Sequence, residues 1–201
     1  MSASSASANR VEAETIDRRI LFYYGLPGLI TAIPTVPVFT LLPVFYAGQM
    51  GVGLALTGLV LFLSRALDVV TDPAIGYMAD RAGPAGLKGL LLAGTLIGAP
   101  ALVLLLSPPD GAGAIWLFLC SALLYLGWTL VQIPYLAWGA RLSPHYHERT
   151  RLTASRETAV IIGILLSGSL PALLVVLHFN EAQRLALIGW LAVALGIPAF
   201  T

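Results

Sequence analysis

The sequence predicts an all-α integral membrane protein. Its 201 residues are 58% hydrophobic and only 10% charged, whereas an ordinary soluble domain carries about 25% charged residues. The mean hydropathy is +0.87, and the apolar residues occur in long runs. Because a helix needs about 20 mostly apolar residues to cross a bilayer, these runs indicate membrane-spanning helices.

The apolar runs define six predicted helices, which follow a tail at residues 1–19 that we expect to be disordered and cytoplasmic. The first run contains four prolines and is too long for the apolar centre of a cleaved signal peptide. Small residues at helical spacing, Gly94 with Gly98 and Gly163 with Ser167, predict close approach between helices. The six predicted helices cover residues 20–46, 54–78, 87–106, 115–138, 158–177 and 185–201, and the sixth is truncated at the end of the sequence.

The charges of the loops predict the orientation of the chain. Lys and Arg concentrate in the tail and in the loops after the second and fourth helices, while the alternate loops contain only Arg184. Cytoplasmic loops carry the excess of Lys and Arg. We therefore expect a multi-pass protein surrounded by membrane lipid, with a cytoplasmic N-terminus, in a bacterial inner membrane.

Three charged residues fall inside the second predicted helix, at the depth of the bilayer. Arg65, Asp68 and Asp72 are three and four positions apart and therefore share one helix face. A charge at the centre of a bilayer costs at least about 2.5 kcal/mol, so the three must be compensated by one another, by water or by a bound cation. A cation site is favoured over a purely structural ion pair, because one Arg can neutralise only one of the two acids.

Other classes of function are less compatible with the sequence. The net charge of +1 and the lack of a basic stripe disfavour a nucleic-acid partner. Cys120 lies in an apolar run and is expected to be a small buried hydrophobe. An enzyme is not predicted: Asp72 precedes Pro73 instead of the Gly that metal-dependent phosphatidyltransferases use, and the Gly-x-Gly-Asp pattern of intramembrane aspartyl proteases is missing. An inactive, truncated membrane fragment remains an alternative.

Two separated motifs resemble those of the glycoside–pentoside–hexuronide:cation symporters, the melibiose-permease-like branch of the major facilitator superfamily. The resemblance implies the six-helix N-terminal half of a twelve-helix fold, whose partner is a missing C-terminal six-helix half. An early Tyr24-Gly25 also fits the family. The first motif is Arg65-x-x-Asp68-x-x-x-Asp72-Pro73-x-x-Gly76-x-x-x-Asp80-Arg81, and the second comprises Pro134-Tyr135, Glu148-Arg149-Thr150-Arg151-Leu152 and Arg156.

The resemblance implies a cation site at Asp68 and Asp72, completed by an oxygen of Thr129. Hard cations prefer oxygen ligands, and two carboxylates one turn apart have a charge deficit that one Na+ would relieve. Repulsion between the carboxylates would equally favour uptake of a proton. Both Na+ and H+ therefore fit as the coupling ion, the resemblance favours Na+, and no other cofactor is expected.

Charged residues elsewhere have expected roles in pairing and gating. Arg65 is expected to pair with the acids of its own helix. Asp80 and Arg81 end the second helix and resemble the gating turn of the superfamily, with a solvated helix cap as the alternative. Arg156, near the cytoplasmic start of the fifth helix, is expected to face the substrate cavity.

The sugar-binding positions of the melibiose branch are changed in this chain. Acids that grip sugar hydroxyls there correspond to Ala32 and Gln132. Gln132 can still form hydrogen bonds through its amide, while Trp128 and Phe39 offer flat apolar surfaces. The predicted function is cation-coupled secondary transport of a sugar or glycoside, with a lysophospholipid or other amphiphile as the alternative substrate.

Overall fold

The computed structural model describes residues 16–200, and every regular element in that range is helical. The predicted all-α membrane fold is therefore confirmed, whereas most of the predicted tail, residues 1–15, lies outside the described range. Five helices are long and apolar enough to cross a membrane. Helix 1 is Arg18–Gly48, helix 2 is Leu54–Arg81, helix 3 is Pro84–Leu106, helix 4 is Ala114–Arg141, helix 5 is Tyr146–Val176 and helix 6 is Glu181–Phe200.

Helix 1 consists of three parts because its prolines interrupt the backbone hydrogen bonds. An α-helix at Arg18–Ala32 is followed by a π-helical turn at Pro37–Leu41 and a second α-helix at Leu42–Gly48. A proline has no N–H and disfavours straight continuation of a helix. In the irregular stretch, the backbone N–H of Val36 donates to the hydroxyl of Ser167 on helix 5, at 2.9 Å. A side chain of helix 5 thus provides an acceptor within the break of helix 1.

Replacing Ser167 with Ala should destabilise the bundle by about 1 kcal/mol, because the partly buried Val36 N–H loses its acceptor. The hydroxyl-bearing side chain is fully buried, so water cannot replace it. The measurement is the Tm of the purified protein in detergent. Ser169→Ala is the matched control, since the Ser169 hydroxyl donates only to the Leu166 carbonyl of its own helix. Equal Tm values for the two variants would contradict this role of Ser167.

Helix 2 also consists of two parts, Leu54–Ala66 and Asp68–Arg81, which meet at Leu67. Its Thr57 and Ser64 side chains are fully buried, and both parts of the helix pack against helix 4. The break lies between Arg65 and Asp68. The charged residues of helix 2 therefore lie on both sides of a break in the helix, and this part of helix 2 packs beside helix 4.

Helices 3 and 4 touch through their backbones, as the spacing of Gly94 and Gly98 predicted. A Cβ atom added at Gly94 would lie 2.8 Å from the carbonyl oxygen of Gly127, and one added at Gly127 would lie 2.5 Å from the Cα of Gly98. Real Cβ atoms do not approach that closely. Only glycine at positions 94 and 127 permits the observed separation of the two helices.

Helices 1 and 5 form the second close pair. Gly163 faces the Leu29 carbonyl of helix 1 without room for a side chain, and the hydroxyl of Ser155 donates to the Leu21 carbonyl at 2.8 Å. The predicted close approach at Gly163 and Ser167 is thus confirmed. Small side chains and hydroxyl groups are the usual means by which helices associate in lipid.

Helix 5 begins at Tyr146, well before residue 158, where hydropathy placed the start of the fifth predicted helix. The first turns of helix 5 are polar, so hydropathy does not predict them. They are stabilised by the contacts of Glu148. Glu148 is buried, forms an ion pair with Arg151 at 2.9 Å and accepts the backbone N–H of Ile16 at 2.9 Å. The start of helix 5 therefore holds the chain that leads into helix 1.

The hydrophobic core joins helices 1, 2, 3, 4 and 6. Leu42, Leu117 and Ile188 are fully buried within it, and Cys120 is 5% exposed, which confirms the expectation of a small buried hydrophobe. The buried Tyr46 hydroxyl donates to the Leu105 carbonyl at 3.1 Å. This core fixes the helices whose midsections carry the candidate site.

Candidate cation and substrate site

The first acid of helix 2 has a basic partner. The guanidinium of Arg65 lies 3.1 Å from the carboxylate of Asp68, whose side chain is 12% exposed, whereas the side chain of Arg65 is 59% exposed. Arg65 also lies over the ring of Tyr125 on helix 4, at 5.1 Å from its centroid. The spacing of three residues that predicted this ion pair is therefore realised, and the pair extends from helix 2 to the surface of helix 4.

The second acid has a hydroxyl partner. The side chain of Thr129 on helix 4 donates to the carboxylate of Asp72 at 2.8 Å. Thr129 is buried, Asp72 is exposed at the surface of the bundle, and no basic side chain within residues 16–198 forms an ion pair with Asp72. One negative charge of the pair thus remains uncompensated within the described part of the chain.

A small hard cation prefers oxygen ligands, and the side chains of Asp68, Asp72 and Thr129 carry oxygen atoms. Among the described residues, no three His, Cys, Asp or Glu side chains form a metal-binding cluster, so a cation here would require hydroxyl, carbonyl or water oxygens besides the carboxylates. Thr129 offers one such oxygen. The hydroxyl of Thr71, the residue before Asp72, is buried without a hydrogen-bond partner in the described range.

Two candidate substrate residues lie together in one cavity. Trp128 and Gln132, one turn apart on helix 4, line a cavity of about 100 Å³ together with residues of helices 1, 3 and 6. We name it the apolar cavity, because all but a few of its lining side chains are hydrocarbon or glycine. It is formed entirely by helices of this chain.

A second cavity adjoins the first and contains the other predicted aromatic. Its volume is about 160 Å³, and its wall includes Phe39, Arg65, Tyr125, Trp128 and Thr35. We name it the Arg65 cavity. Trp128 belongs to both cavities, so the predicted contacts Phe39, Trp128 and Gln132 line one continuous set of surfaces that reaches the Arg65–Asp68 pair.

The remaining predicted residues lie elsewhere. Arg156 is absent from the walls of both cavities: its aliphatic part packs at Gly28 of helix 1 and its guanidinium pairs with Glu157. Asp80 is exposed at the end of helix 2, and the guanidinium of Arg81 stacks on the ring of Tyr77 at 3.5 Å. None of these three residues lines either of the two cavities.

Arg141 holds the end of helix 2 and was missed by sequence reasoning. From the last turn of helix 4, its guanidinium donates to the carbonyls of Ala82, at 2.8 Å, and Ala79, at 3.2 Å. These carbonyls lie at the C-terminus of helix 2, where a positive charge is favourable. The position of Arg141 in the sequence suggested only a cytoplasmic loop charge, because its partners lie on another helix.

The helical fold with its five candidate spans is that of a multi-pass membrane protein, and comparison with known proteins identifies its family. A family model described as MFS/sugar transport protein matches residues 23–201. The chain belongs to this family of transporters, which carry small molecules across lipid membranes. The resemblance to the glycoside–pentoside–hexuronide:cation symporters is thereby confirmed.

Individual relatives agree with this assignment. The chain is 28% identical over 195 residues to the inner membrane symporter YicJ of Escherichia coli, covering 94% of this chain and 42% of YicJ. It is 29% identical over 166 residues to the putative glycoside/cation symporter YagG of the same organism, covering 80% of this chain and 36% of YagG. It is also 28% identical over 122 residues to the sodium-dependent lysophosphatidylcholine symporter 1-A of Danio rerio, covering 58% of this chain and 23% of that protein. The chain therefore spans less than half the length of each of these relatives.

Proposed function

We propose that this chain provides the N-terminal half of a secondary transporter that couples the entry of Na+ or H+ to the transport of a sugar or glycoside. The observation that carries the proposal is Asp72, an acid within a membrane-spanning helix that has a hydroxyl partner and, among the side chains of residues 16–198, no basic one. Such a group is costly in lipid unless an ion from solution compensates it. The names of YicJ and YagG, a symporter and a putative glycoside/cation symporter, support the same reading.

The cation would bind between helices 2 and 4. Asp72 and Thr129 would supply two oxygens, and Asp68 would supply a third when Arg65 turns away from it. Binding would neutralise the charge of Asp72 and hold helix 2 against helix 4 at the break around Leu67. Because Arg65 lines the cavity that contains Phe39 and Trp128, its release from Asp68 would make the guanidinium available to substrate oxygens there.

The second half of the transporter would pack on the exposed face that carries Asp72. Substrate would then bind near the middle of the membrane between the halves, with Trp128, Phe39 and Gln132 on this side. Rocking of the two halves would alternate access to the two sides of the membrane. In this proposal the protein lies in a bacterial inner membrane, with the N-terminus and the Asp80–Arg81 turn on the cytoplasmic side. Arg156 positions helix 1 through its contact with that helix.

A lysophospholipid or a similar amphiphile is the second candidate substrate. The apolar lining of the cavity at Trp128 and Gln132 favours it, as does the similarity to a sodium-dependent lysophosphatidylcholine symporter. The two candidates differ in the demand for hydrogen bonds: a sugar ring presents several hydroxyls that must all be satisfied, whereas an acyl chain presents none.

An uptake screen with the full-length gene product tests the proposal. Membrane vesicles that contain the protein would be mixed with radiolabelled hexoses, pentosides or lysophosphatidylcholine in the outside solution. An inward gradient of Na+, of H+ or of neither would be imposed across their membrane. We expect uptake of at least one sugar or glycoside to rise at least tenfold when one of the two gradients is imposed. Stimulation of lysophosphatidylcholine uptake alone would support the second candidate, and gradient-independent uptake of every compound would contradict cation coupling.

A further inference from the structure

An open groove lies at one end of the bundle, between the last turns of helix 1 and the first turn of helix 6. It has a volume of about 150 Å³, and its lining includes Thr40 and Val44 of helix 1 together with Glu181 and Arg184 of helix 6. Thr40 and Val44 are exposed, so the groove opens to the surroundings of the bundle. Its described lining contains no residue of the proposed cation or substrate site, and the groove therefore needs an interpretation of its own.

The groove lies at the level of the membrane surface. Glu181 is the first residue of helix 6, and its carboxylate accepts a hydrogen bond from the side-chain amide of Gln49, which directly follows helix 1. Because about 20 helical residues cross the hydrocarbon core of a bilayer, the ends of these two helices lie among the lipid headgroups. The polar groups of the groove are thus placed beside the phosphates and amines of the lipid.

Arg184 presents an unfilled hydrogen-bonding edge at this level. Its side chain is 17% exposed, and its Nη2 lies 3.7 Å from the carboxylate of Glu181, which is longer than a hydrogen bond. Its Nε is buried without a hydrogen-bond partner in the described range, and a buried charged donor without an acceptor is destabilising. A guanidinium binds two oxygens of one phosphate through two parallel N–H groups, so the Nε and Nη2 of Arg184 form an edge that fits a phosphate.

The neighbouring carboxylate limits which phosphate compound fits. Glu181 is close enough to Arg184 to repel a ligand whose only charge is negative, and its side chain is 47% exposed, so it can accept a hydrogen bond from an ammonium group. A zwitterion that carries both a phosphate and a primary ammonium complements the two side chains. A cavity of about 150 Å³ holds a molecule of the size of benzene, so the groove can take such a headgroup but not the acyl chains of a lipid.

We propose that the groove binds the headgroup of a phosphatidylethanolamine molecule of the surrounding membrane. The phosphate accepts from the Nε and Nη2 of Arg184, and the ammonium donates to the carboxylate of Glu181. The acyl chains lie outside the groove along helix 1, where Leu41 and the exposed Val44 offer apolar surface. The bound lipid adds to the contact between Gln49 and Glu181 that joins the ends of helices 1 and 6, and it is separate from any transported substrate.

Lipid binding to the full-length protein tests the inference. The detergent-purified protein is titrated with dioleoyl phosphatidylethanolamine, phosphatidylcholine or phosphatidylglycerol, and bound molecules are counted by native mass spectrometry. We expect one phosphatidylethanolamine to bind at least about tenfold more tightly than either other lipid, because only its ammonium can donate a charge-assisted hydrogen bond to Glu181. Arg184→Gln should weaken phosphatidylethanolamine binding at least about tenfold, and Glu181→Gln should make phosphatidylethanolamine and phosphatidylglycerol bind equally.

Arg18→Gln and Asp110→Asn are the matched controls, since both residues are exposed and lie outside the groove; they should preserve the preference. Equal binding of the three lipids by the unmodified protein would overturn the inference, as would an unchanged preference in both groove variants. Soluble phosphoethanolamine that binds as tightly as the lipid would make the groove a site for a free phosphate ester and would also overturn it. Absence of bound lipid together with a lower Tm of both groove variants would assign the groove to a contact with the second half instead.

Discussion

Replacing Asp72 with Asn should abolish the stimulation of uptake by the coupling cation. Asn keeps the size of the side chain and can still accept the hydrogen bond from Thr129, but it removes a carboxylate of helix 2 that lacks a basic partner within residues 16–198. Loss of an anionic ligand should weaken cation binding at least about 100-fold, beyond the 10- to 100-fold effect of removing a residue that only supports a ligand. The measurement is the initial uptake rate as a function of Na+ concentration, and of pH without Na+, in vesicles that contain the full-length protein.

Asp110→Asn provides the matched control for Asp72→Asn. Asp110 is exposed in the turn between helices 3 and 4, so the same loss of charge there should leave the cation response unchanged. An unaltered Na+ dependence in Asp72→Asn would remove the cation site from helix 2. Asp68→Asn provides a further comparison: it frees Arg65, whose positive charge would then repel the cation, and we expect a loss of stimulation in this variant as well.

Hydropathy and spacing predicted the helices because both depend on local sequence. Runs of about 20 apolar residues revealed the spans. The start of helix 5 at Tyr146 could not be read in the same way, since its first turns are polar and depend on the pair of Glu148 with Arg151 and on the contact with Ile16. A polar helical extension of a membrane span and a polar loop have similar compositions.

In the candidate site, too, contacts within one helix could be predicted from the sequence and contacts between helices could not. The spacing of Arg65 and Asp68 within one helix was sufficient to predict their ion pair. The contacts between Thr129 and Asp72 and between Arg141 and the end of helix 2 join different helices. They depend on how helix 4 is rotated and how far it extends beside helix 2. The contact of Arg156 with Gly28 of helix 1 also joins two helices, and its expected role at the substrate cavity stays a prediction.

Replacing Gly127 with Ala should destabilise the protein by about 3 kcal/mol, the upper part of the usual range for overpacking. The added Cβ atom would lie 2.5 Å from the Cα of Gly98 and 2.9 Å from the carbonyl oxygen of Gly94. Both neighbours are backbone atoms, which cannot rotate away as the end of a side chain can, so helices 3 and 4 must separate. The Tm of the purified protein in detergent measures the loss. Gly168→Ala is the control, and it should be neutral or stabilising because it removes a flexible glycine from a helix without a clash.

Gly127→Ala should also change the geometry of the proposed cation site, because Gly127 immediately precedes Trp128 and Thr129 on helix 4. If helix 4 moves away from helix 3, the Thr129 hydroxyl can no longer keep its 2.8 Å contact with Asp72 unless helix 2 follows. We therefore expect the folded fraction of Gly127→Ala to need a higher Na+ concentration for half-maximal uptake, whereas Gly168→Ala keeps the original value. A Gly127→Ala protein with an unchanged Tm and an unchanged Na+ response would show that the helix 3–helix 4 contact does not position the cation site. The geometry argues against that result, since the same stretch of helix 4 that fits against Gly94 and Gly98 also carries Thr129.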